Sequence, residues 1–501
     1  MEPGVVLQAI LPVCLLISGI HGGQLHTGGS LKMDQALLTF HTGFPEGVDV
    51  FYTSDYCYKC LPQPLASVER DMLNVSSVIS TKFTLSLRVD SRNVSLCSWS
   101  QTYEEGGQYS VWIQQQTASN TSAICRHSVD ENPRNVYLPL LVALLVLAVV
   151  ALLFVLVPYV NRKYNATKRI KDACCCPSPR HTVDCEVTPT CEAGDADAKP
   201  KHTRLHSLDT FRGFSMTVMV FVNYGGGGYW FMEHAPWNGL TVADLVMPWF
   251  VFIIGTSVVL AFGSMRRKGV SRVQLLRKLT WRTAVLMLLG FCFLNYSPKD
   301  GPLSWSWLRI PGVLQRLGFT YFVLSLMQTA WGQTAAPARA GGCWGRAQDL
   351  LPYWPEWLFI VLLETLWLCL TFLLPVPGCP AGYLGAGGIG DHGLYPDCTG
   401  GAAGHVDRWV FGDNMFRWPT CRELYRTTMP FDPEGILGTI NSVVMGFMGM
   451  QAGKIFLCYR GDSVQILSRF LGWAVVLGAS TAVLSKCTRD EGFIPVNKNL
   501  W

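Results

Sequence analysis

The stretch that most constrains this chain is residues 138–160, LPLLVALLVLAVVALLFVLVPYV, in which 23 consecutive positions carry no charge. At 1.5 Å per residue, a helix of that length crosses a hydrocarbon core of about 30 Å. Helices buried in soluble proteins rarely run so far without a polar side chain. The whole chain of 501 residues is 49% hydrophobic and only 15% charged, against about 25% charged in soluble domains. The sequence therefore predicts a multi-pass α-helical membrane protein.

The region before this helix has a different composition. Residues 1–22 contain an apolar run followed by small residues, which predicts a secretory signal peptide, with an uncleaved anchor as the alternative. Residues 23–137 carry three glycosylation sequons, at Asn74, Asn93 and Asn120. Alternating segments such as KFTLSLRVD and YSVWIQQQ predict strands. We therefore expect residues 23–137 to form a glycosylated, β-rich domain on the lumenal side of a membrane.

Four cysteines of that domain, Cys57, Cys60, Cys97 and Cys125, are candidates for disulfides. Two bridges among four cysteines allow three pairings, which the sequence does not distinguish. The CxxC spacing of the first two favours a structural bridge over zinc in an oxidising compartment. We expect no metal site in this chain.

The distribution of Lys and Arg predicts the orientation of the helices. Residues 161–205 are rich in basic side chains near the first helix, which predicts a cytosolic linker. Cysteines 174–176 follow that basic segment, and either palmitoylation or unmodified thiols would fit there. Further apolar runs predict seven more helices within residues 206–501, at 210–223, 241–262, 280–296, 310–330, 356–375, 435–458 and 467–486. Alternation then places the basic loop RRKGVSRVQLLRK in the cytosol and residues 376–432 in the lumen, where Cys379, Cys398 and Cys421 are further candidates for bridges.

Residues 223–239, NYGGGGYWFMEHAPWNG, lie at the predicted lumenal end of the second helix. An aromatic belt at the membrane surface is one interpretation of this stretch. Three features favour a functional site around His234 instead. Four consecutive glycines let a ligand or another helix approach the backbone, and Asn223 precedes them. Asp244 follows inside the next apolar run, where a carboxylate is costly and usually functional.

Four segments carry a specific resemblance. RLHSLDTFRGFSMTVMVFVNY, HAPWNGLTVADLVMPWFVFIIG, RIPGVLQRLG and DPEGILGTINSVVMGFMGMQAGK resemble the lysosomal heparan-α-glucosaminide N-acetyltransferase family, and wider membrane acyltransferases share LDTFRG. The resemblance covers residues 204–501, and more loosely the domain before them. The family continues with further helices, so we expect this chain to be a fragment or a truncated form with an incomplete acyltransferase domain over residues 206–501.

The resemblance implies an enzyme of the lysosomal membrane. It would transfer acetyl from cytosolic acetyl-CoA to the non-reducing terminal glucosamine of heparan sulfate in the lumen. The catalytic histidine of the family falls on His234 and its asparagine on Asn223. In an acidic lumen the acceptor amine arrives as ammonium, so the reaction needs a base, and histidine suits that role.

Two mechanisms are compatible with these residues. His234 is either a general base in a ternary complex or a nucleophile that carries acetyl as acetyl-imidazole. Asn223 would orient the imidazole or stabilise the oxyanion of the thioester. Asp244 would hold the tautomer of the histidine.

The phosphates of acetyl-CoA need positive charge on the cytosolic side, and five side chains are candidates: Arg204, Arg212, Lys278, Arg282 and Arg316. For each of them, the alternative is that its positive charge only sets the orientation of the helices in the membrane. Arg212 differs, because Asp209 lies three residues earlier and predicts an ion pair within the membrane. We interpret Arg309 and Glu434 as sugar-side or structural charges.

Other function classes are less favoured. A transporter of a sugar or of a cofactor-derived metabolite is the main alternative, since polar residues in broken helices also mark transporters, but no internal repeat is evident. The sequence contains no Walker loop and no basic patch typical of nucleic-acid binding. We expect membrane lipid as a neighbour and no nucleic acid, and a homo-oligomer is compatible with the sequence.

Overall fold

The computed structural model of the chain describes residues 31, 34–43, 47–68, 74–91, 94–115, 123–174, 205–294, 308–332, 349–459 and 461–499. The predicted signal peptide, the sequons at Asn93 and Asn120, the cation Arg204 and the linker after Cys174 lie outside the described residues. The predictions made for those positions stay predictions.

The N-terminal region is a β-sandwich, in agreement with the alternating segments of the sequence. Its described strands are β1 Gln35–Thr42, β2 Val48–Ser54, β3 Gln63–Val68, β4 Asn74–Ser80, β5 Leu85–Ser91, β6 Val94–Gln101, β7 Gln108–Gln115 and β8 Ala123–Glu131. One sheet has the order β4-β1-β7-β8 and the other β3-β2-β5-β6. The first sheet pairs β1 and β7 in parallel, and the remaining pairs are antiparallel. Inward-facing side chains such as Leu38, Val89 and Val111 fill the core between the sheets.

Disulfides connect parts of this sandwich. Cys97 in β6 is bonded to Cys125 in β8, which joins an edge of one sheet to an edge of the other. Cys57 is bonded to Cys60 in the turn after β2. This is one of the three pairings that the sequence left open. Further along the chain, Cys379 and Cys398 form a disulfide and Cys421 is a thiol.

The rest of the described chain is helical. The helices are α1 Leu138–Cys174, α2 His206–Asn223, α3 Val242–Arg267, α4 Arg272–Leu289, α5 Val313–Trp331, α6 Trp354–Leu373, α7 Gly401–Phe411, the single turn α8 Arg422–Tyr425, α9 Ile436–Cys458 and α10 Ser463–Ser485. A long helix coincides with each of the eight predicted runs. However, α1 continues beyond Val160, so the start of the predicted linker is helical. Likewise, α4 begins earlier than predicted, because the Ser271 side chain caps it by accepting from the backbone of Gln274 at 3.3 Å.

Four helical segments of the described chain are long and apolar enough to cross a membrane: Leu138–Val160, Val242–Arg267, Leu351–Leu373 and Ser463–Ser485. Between Leu138 and Val160 no side chain is buried inside the protein. An apolar surface of that extent is typical of a helix that contacts lipid. The chain is thus a membrane protein, while the number of eight spans and their orientation stay predictions.

Helices α3 and α9 pack so closely that only glycine fits at their contact. A Cβ added to Gly255 would lie 1.8 Å from the carbonyl oxygen of Gly446, and one added to Gly449 would lie 2.1 Å from that of Phe252. Thr256 Oγ1 donates across the interface to the Gly449 carbonyl at 3.0 Å. Small residues allow membrane helices to approach in this way. The contact fixes α3 rigidly against the helical core.

Residues 374–435, between α6 and α9, form a cap on the helices at the end where the sandwich lies. The turn of the sandwich that holds the Cys57–Cys60 disulfide docks on this cap. Tyr425 Oη donates to the Tyr56 carbonyl and accepts from the Tyr58 backbone N–H, both at 3.1 Å. The sandwich and the helical part therefore meet along a seam that is held by specific hydrogen bonds.

Candidate active site at the seam

Residues 224–241 connect α2 to α3 and carry His234. The four glycines from Gly225 to Gly228 all have positive φ, between 58° and 93°, in a region that other residues rarely adopt. A Cβ on Gly226 would also lie 2.6 Å from the Cβ of Met232. The glycine run is therefore required to turn the chain at the end of α2. This backbone requirement, rather than the close approach of a ligand, is what the structure shows for these glycines.

Contacts on both sides of His234 hold this loop in place. Tyr229 Oη donates to the Val136 carbonyl, just before α1, at 3.1 Å. Lys82 of the sandwich donates to both carboxylate oxygens of Glu233, at 2.6 and 2.8 Å. Trp237 is only 1% exposed, and its indole N–H donates to a carbonyl of the cap at 3.0 Å. The histidine thus lies between a residue tied to the sandwich and a residue buried under the cap.

His234 and Asp244 form a hydrogen-bonded pair. The Nδ1 atom of the imidazole lies 2.7 Å from Asp244 Oδ1. Asp244 Oδ2 accepts from the backbone N–H groups of Ala235 and Thr241, at 3.1 and 3.2 Å, and from Thr241 Oγ1 at 3.0 Å. Because a carboxylate only accepts hydrogen bonds, Nδ1 carries a proton, and in the neutral imidazole Nε2 is then the nitrogen with the lone pair. The His234 side chain is 62% exposed, so that lone pair is accessible to a ligand.

His234 lines a cavity of about 610 Å³ at the seam. The sandwich and the helical part both contribute to its wall, with Tyr56, Lys82 and Phe83 from the former and Trp230, Arg422 and Lys498 from the latter. The volume is within the range of small-molecule sites. Aromatic faces, charged groups and one basic nitrogen make this cavity suitable for a polar ligand such as a sugar.

Two other predicted site residues lie apart from this cavity. Asn223 is the exposed last residue of α2, and it is not among the described residues that line the cavity. Arg212 forms the expected ion pair with Asp209 at 3.5 Å and also donates to Ser257 Oγ at 2.9 Å. Their proposed roles in catalysis and in binding acetyl-CoA stay predictions.

Lys278 and Arg282 lie near the other end of the helices. Both are exposed on α4, and the Arg282 guanidinium stacks 4.8 Å from the ring centre of Tyr321. The same part of α4 packs against Val258 of α3. At 1.5 Å per residue, Val258 lies about 20 Å along α3 from Asp244. These two cations are therefore well separated from His234.

Arg316 has a different environment from the other candidates. It is buried, and it donates to Ser442 Oγ at 2.5 Å and to the carbonyls of Gly438 and Pro433 at 2.7 and 3.3 Å. These bonds tie the start of α5 to the start of α9. They favour a structural role for this guanidinium over one in binding phosphate.

A buried acidic cluster lies within the cap. Arg309 donates to both oxygens of the fully buried Asp432 carboxylate and also to Glu434. Asp407 of α7 accepts from the backbone N–H of Ile436 at 2.9 Å and so satisfies the first turn of α9. Burial, together with the nearby Asp432 charge, raises the pKa of Asp407 to about 7, although the Ile436 N–H opposes the shift. These contacts agree with the structural interpretation of Arg309 and Glu434.

The structure combines a disulfide-bonded sandwich with helices that can cross a membrane, and a carboxylate orients an accessible imidazole. These features define a membrane protein equipped for acid–base chemistry at its surface. No protein-family model matches the chain. It is 43% identical over 494 residues to the heparan-alpha-glucosaminide N-acetyltransferase of Mus musculus, and 42% identical over 495 residues to that of Homo sapiens. Each match covers 94% of this chain and 74% of the relative. The chain belongs to the heparan-alpha-glucosaminide N-acetyltransferase family, which confirms the resemblance of the four segments.

Sequence reasoning missed every sandwich residue of the cavity. Lys82 and Glu233 are 151 positions apart, and no local pattern links them. Arg422 and Lys498 likewise lack a motif that would associate them with His234. Asp244, by contrast, could be found, because a lone carboxylate in an apolar run is a strong signal.

Proposed function

We propose that this protein is an N-acetyltransferase that transfers the acetyl group of acetyl-CoA to the non-reducing terminal α-glucosamine of heparan sulfate, a step in heparan sulfate degradation. The observation that carries the proposal is the His234–Asp244 pair, in a chain whose relatives are named for acetyl transfer to this sugar. An imidazole that keeps the lone pair of Nε2 beside a sugar-sized cavity supplies the base that acylation of an amine requires.

The acceptor amine sets the chemical problem. A compact amine titrates at about pH 8, so in an acidic compartment it arrives as an ammonium ion, which cannot attack a thioester. His234 Nε2 accepts a proton from this nitrogen, while Asp244 keeps Nδ1 protonated and stabilises the imidazolium. The amine nitrogen then bonds to the thioester carbon. The carbon–sulfur bond breaks and the sulfur leaves with the electron pair. The nitrogen loses its second proton as the amide forms, the thiolate takes up a proton to give the thiol of CoA, and His234 releases its own proton to water.

We propose direct transfer in a ternary complex rather than through a covalent acetyl-imidazole. The cavity at His234 is large enough for a sugar beside the acetyl end of the donor. Incubation with labelled acetyl-CoA in the absence of acceptor separates the two routes. Acetyl on His234 would support the covalent route, whereas an unlabelled enzyme that turns over when acceptor is added supports direct transfer. Asn223, the last residue of α2 before the loop, is proposed to orient the reacting groups.

The donor is proposed to bind toward the opposite end of the helices. Lys278 and Arg282 are exposed there and fit the phosphates of acetyl-CoA, which bind well to cations. Arg212 is a further candidate despite its pairing with Asp209. We keep Arg204 as a candidate from the sequence alone, and we withdraw Arg316, because its donors already bond to the protein.

The orientation of the protein is part of this proposal. We place the sandwich and His234 in the lysosomal lumen and the junction of α3 and α4 in the cytosol. The basic side chains of that junction favour the cytosolic side. Disulfides in the sandwich and in the cap favour an oxidising compartment.

Protein reconstituted in liposomes tests the proposal. Labelled acetyl-CoA is supplied outside, on the side of the α3–α4 junction, and a glucosaminide acceptor is enclosed inside. Acetylated acceptor inside supports the enzyme, and its loss in His234→Ala assigns the base. The matched control is His41→Ala, a histidine that stacks on Trp112 in the sandwich. Intact acetyl-CoA or free sugar crossing the membrane without acetylation would support a transporter and overturn the proposal.

A further inference from the structure

Two cationic side chains of the His234 cavity have no role in the reaction described so far. Arg422, in α8, is exposed, and Lys498, after α10, is half-buried. Both line the cavity. In the described part of the chain, neither has a carboxylate within ion-pair distance. Their positive charges are therefore available to a ligand.

The chain segments that carry Arg422 and Lys498 are bonded to the histidine loop. The Sγ of Cys421, the residue before Arg422, donates to the carbonyl of Pro236. The backbone N–H of Lys498 donates to the carbonyl of Trp237 at 3.2 Å. Since Pro236 and Trp237 follow His234 closely in the chain, the segments that carry the two cations are anchored to the same loop that positions the base.

The positive and negative groups that line the His234 cavity do not cancel. Lys82 is neutralised by Glu233 at 2.6 Å and also lies 3.6 Å from Asp34. Among the lining groups, this leaves Arg422 and Lys498 against the single carboxylate of Glu423. Outside the Lys82–Glu233 pair, the lining groups therefore carry a net positive charge, which attracts anions.

An adjoining cavity of about 670 Å³ has the opposite character. It shares Tyr56, Lys82, Phe83 and Trp230 with the His234 cavity. Its wall has four carboxylates, Asp34, Asp55, Glu104 and Glu105, against the two cations Lys82 and Arg134, so its net charge is negative. An anionic ligand that extends from His234 is repelled in that direction. It is attracted toward Arg422 and Lys498.

We propose that Arg422 and Lys498 form a subsite for an anionic group, a sulfate or a carboxylate, on the sugar next to the terminal glucosamine. This inference rests on the proposed function and names the residues that select an anionic acceptor. The planar guanidinium binds two oxygens of either anion, and the ammonium adds a second charge. Binding there places the amine of the terminal sugar at His234.

Acceptors of different charge test this subsite. Initial rates are measured with the full chain and three acceptors: glucosamine, a glucosaminyl-uronate disaccharide without sulfate, and the same disaccharide with sulfate. The variants are Arg422→Ala, Lys498→Ala and the double variant. The matched control is Arg126→Ala, which removes an exposed cation of β8 outside the cavity lining.

We expect each single variant to raise KM for an anionic disaccharide about ten-fold, the loss of roughly one charge-assisted contact. The kcat values and the KM for glucosamine should stay within about two-fold of wild type. Arg422→Lys should recover part of the loss, and added salt should raise KM for the anionic acceptors in the wild type more than in the double variant. Comparison of the two disaccharides shows whether carboxylate or sulfate is the group bound.

An equal change of KM for all three acceptors, or no change for the anionic ones, would overturn the subsite. Thermal unfolding of each variant shows whether it is folded, and a variant that is not folded is replaced by Arg422→Gln or Lys498→Gln. If the wild type acetylates none of the acceptors, the proposed function itself fails. If the wild type acetylates all of them and the variants match it, only the subsite fails.

Discussion

Replacing the Asp244 carboxylate by an amide is the sharpest test of the site. In Asp244→Asn, one end of the side chain must face two backbone N–H groups, from Ala235 and Thr241, and the other must face His234 Nδ1. The amide oxygen is the only acceptor of the new side chain, so it takes the end with the two donors. The amide NH₂ then faces Nδ1 and can only donate to it. The neutral imidazole is driven to the tautomer with its proton on Nε2, where it cannot act as a base.

The structure sets the size of the effect. Turning the amide to restore the active tautomer would give up two backbone hydrogen bonds, at about 1 kcal/mol each. A cost of about 2 kcal/mol disfavours the active tautomer about thirty-fold. The variant also lacks the negative charge that stabilises the imidazolium. In serine proteases the corresponding change lowers kcat by about 10⁴, so we expect a loss of about 10³–10⁴ here.

Asparagine is chosen because its oxygen keeps the N-terminus of α3 capped, which an alanine would not do. The assay is the rate of acetyl transfer at saturating acetyl-CoA and acceptor, with unfolding of each variant measured in parallel. We expect kcat to fall with little change in Tm. If Asp244→Asn keeps a rate within about ten-fold of wild type while His234→Ala does not, the tautomer argument is wrong.

Stability and modification test other parts of the structure. Burial raises the pKa of Asp407 from 3.8 to about 7. The stability that this group contributes is therefore complete near pH 4 and is lost as the pH rises through 7. Over this pH range, the Tm of the wild type should fall more steeply than the Tm of Asp407→Asn. Lys454→Met leaves the buried Glu356 carboxylate without its ion-pair partner and should lower the free energy of unfolding by about 3–5 kcal/mol; a denaturation series should show that adding Glu356→Leu restores most of the loss. Mass spectrometry should find glycan at Asn74, which is exposed in β4. It should find none at Asn165 of the sequon Asn165-Ala-Thr, because the proposed orientation places residues 161–205 in the cytosol, and a glycan there would contradict that orientation.

Local patterns predicted much of the secondary structure, although not every helix boundary. Alternation of apolar and polar residues predicted β5 and β7, because one face of each strand packs into the core of the sandwich. The uncharged run from Leu138 to Val160 predicted α1, because a helix surrounded by lipid needs apolar side chains on all of its faces. The prediction of a helix at 280–296 was less accurate. The apolar run begins only in the second half of α4, whereas the Ser271 cap starts the helix several residues earlier.

Only part of the candidate site could be predicted from the sequence. His234 and Asp244 are ten residues apart, and polar groups beside apolar runs single them out. The role of Arg316 depended instead on contacts made across the fold with Ser442 and Gly438, which no spacing in the sequence reveals. A list of cations therefore does not reveal which guanidinium groups already donate to the protein, as that of Arg316 does to the Gly438 carbonyl.

The placement of His234 explains why the site needs both parts of the protein. Its hydrogen-bond partner, Asp244, belongs to the first turn of α3, and α3 is fixed by the glycine contacts with α9. Its neighbour Glu233 is held by Lys82 of the sandwich. The base is thus fixed relative to the helices, where we place the donor, and relative to the sandwich, which forms one wall of the acceptor cavity. Acyl transfer requires two substrates to meet within bonding distance, and a loop tied to both parts keeps the base at the point where they meet.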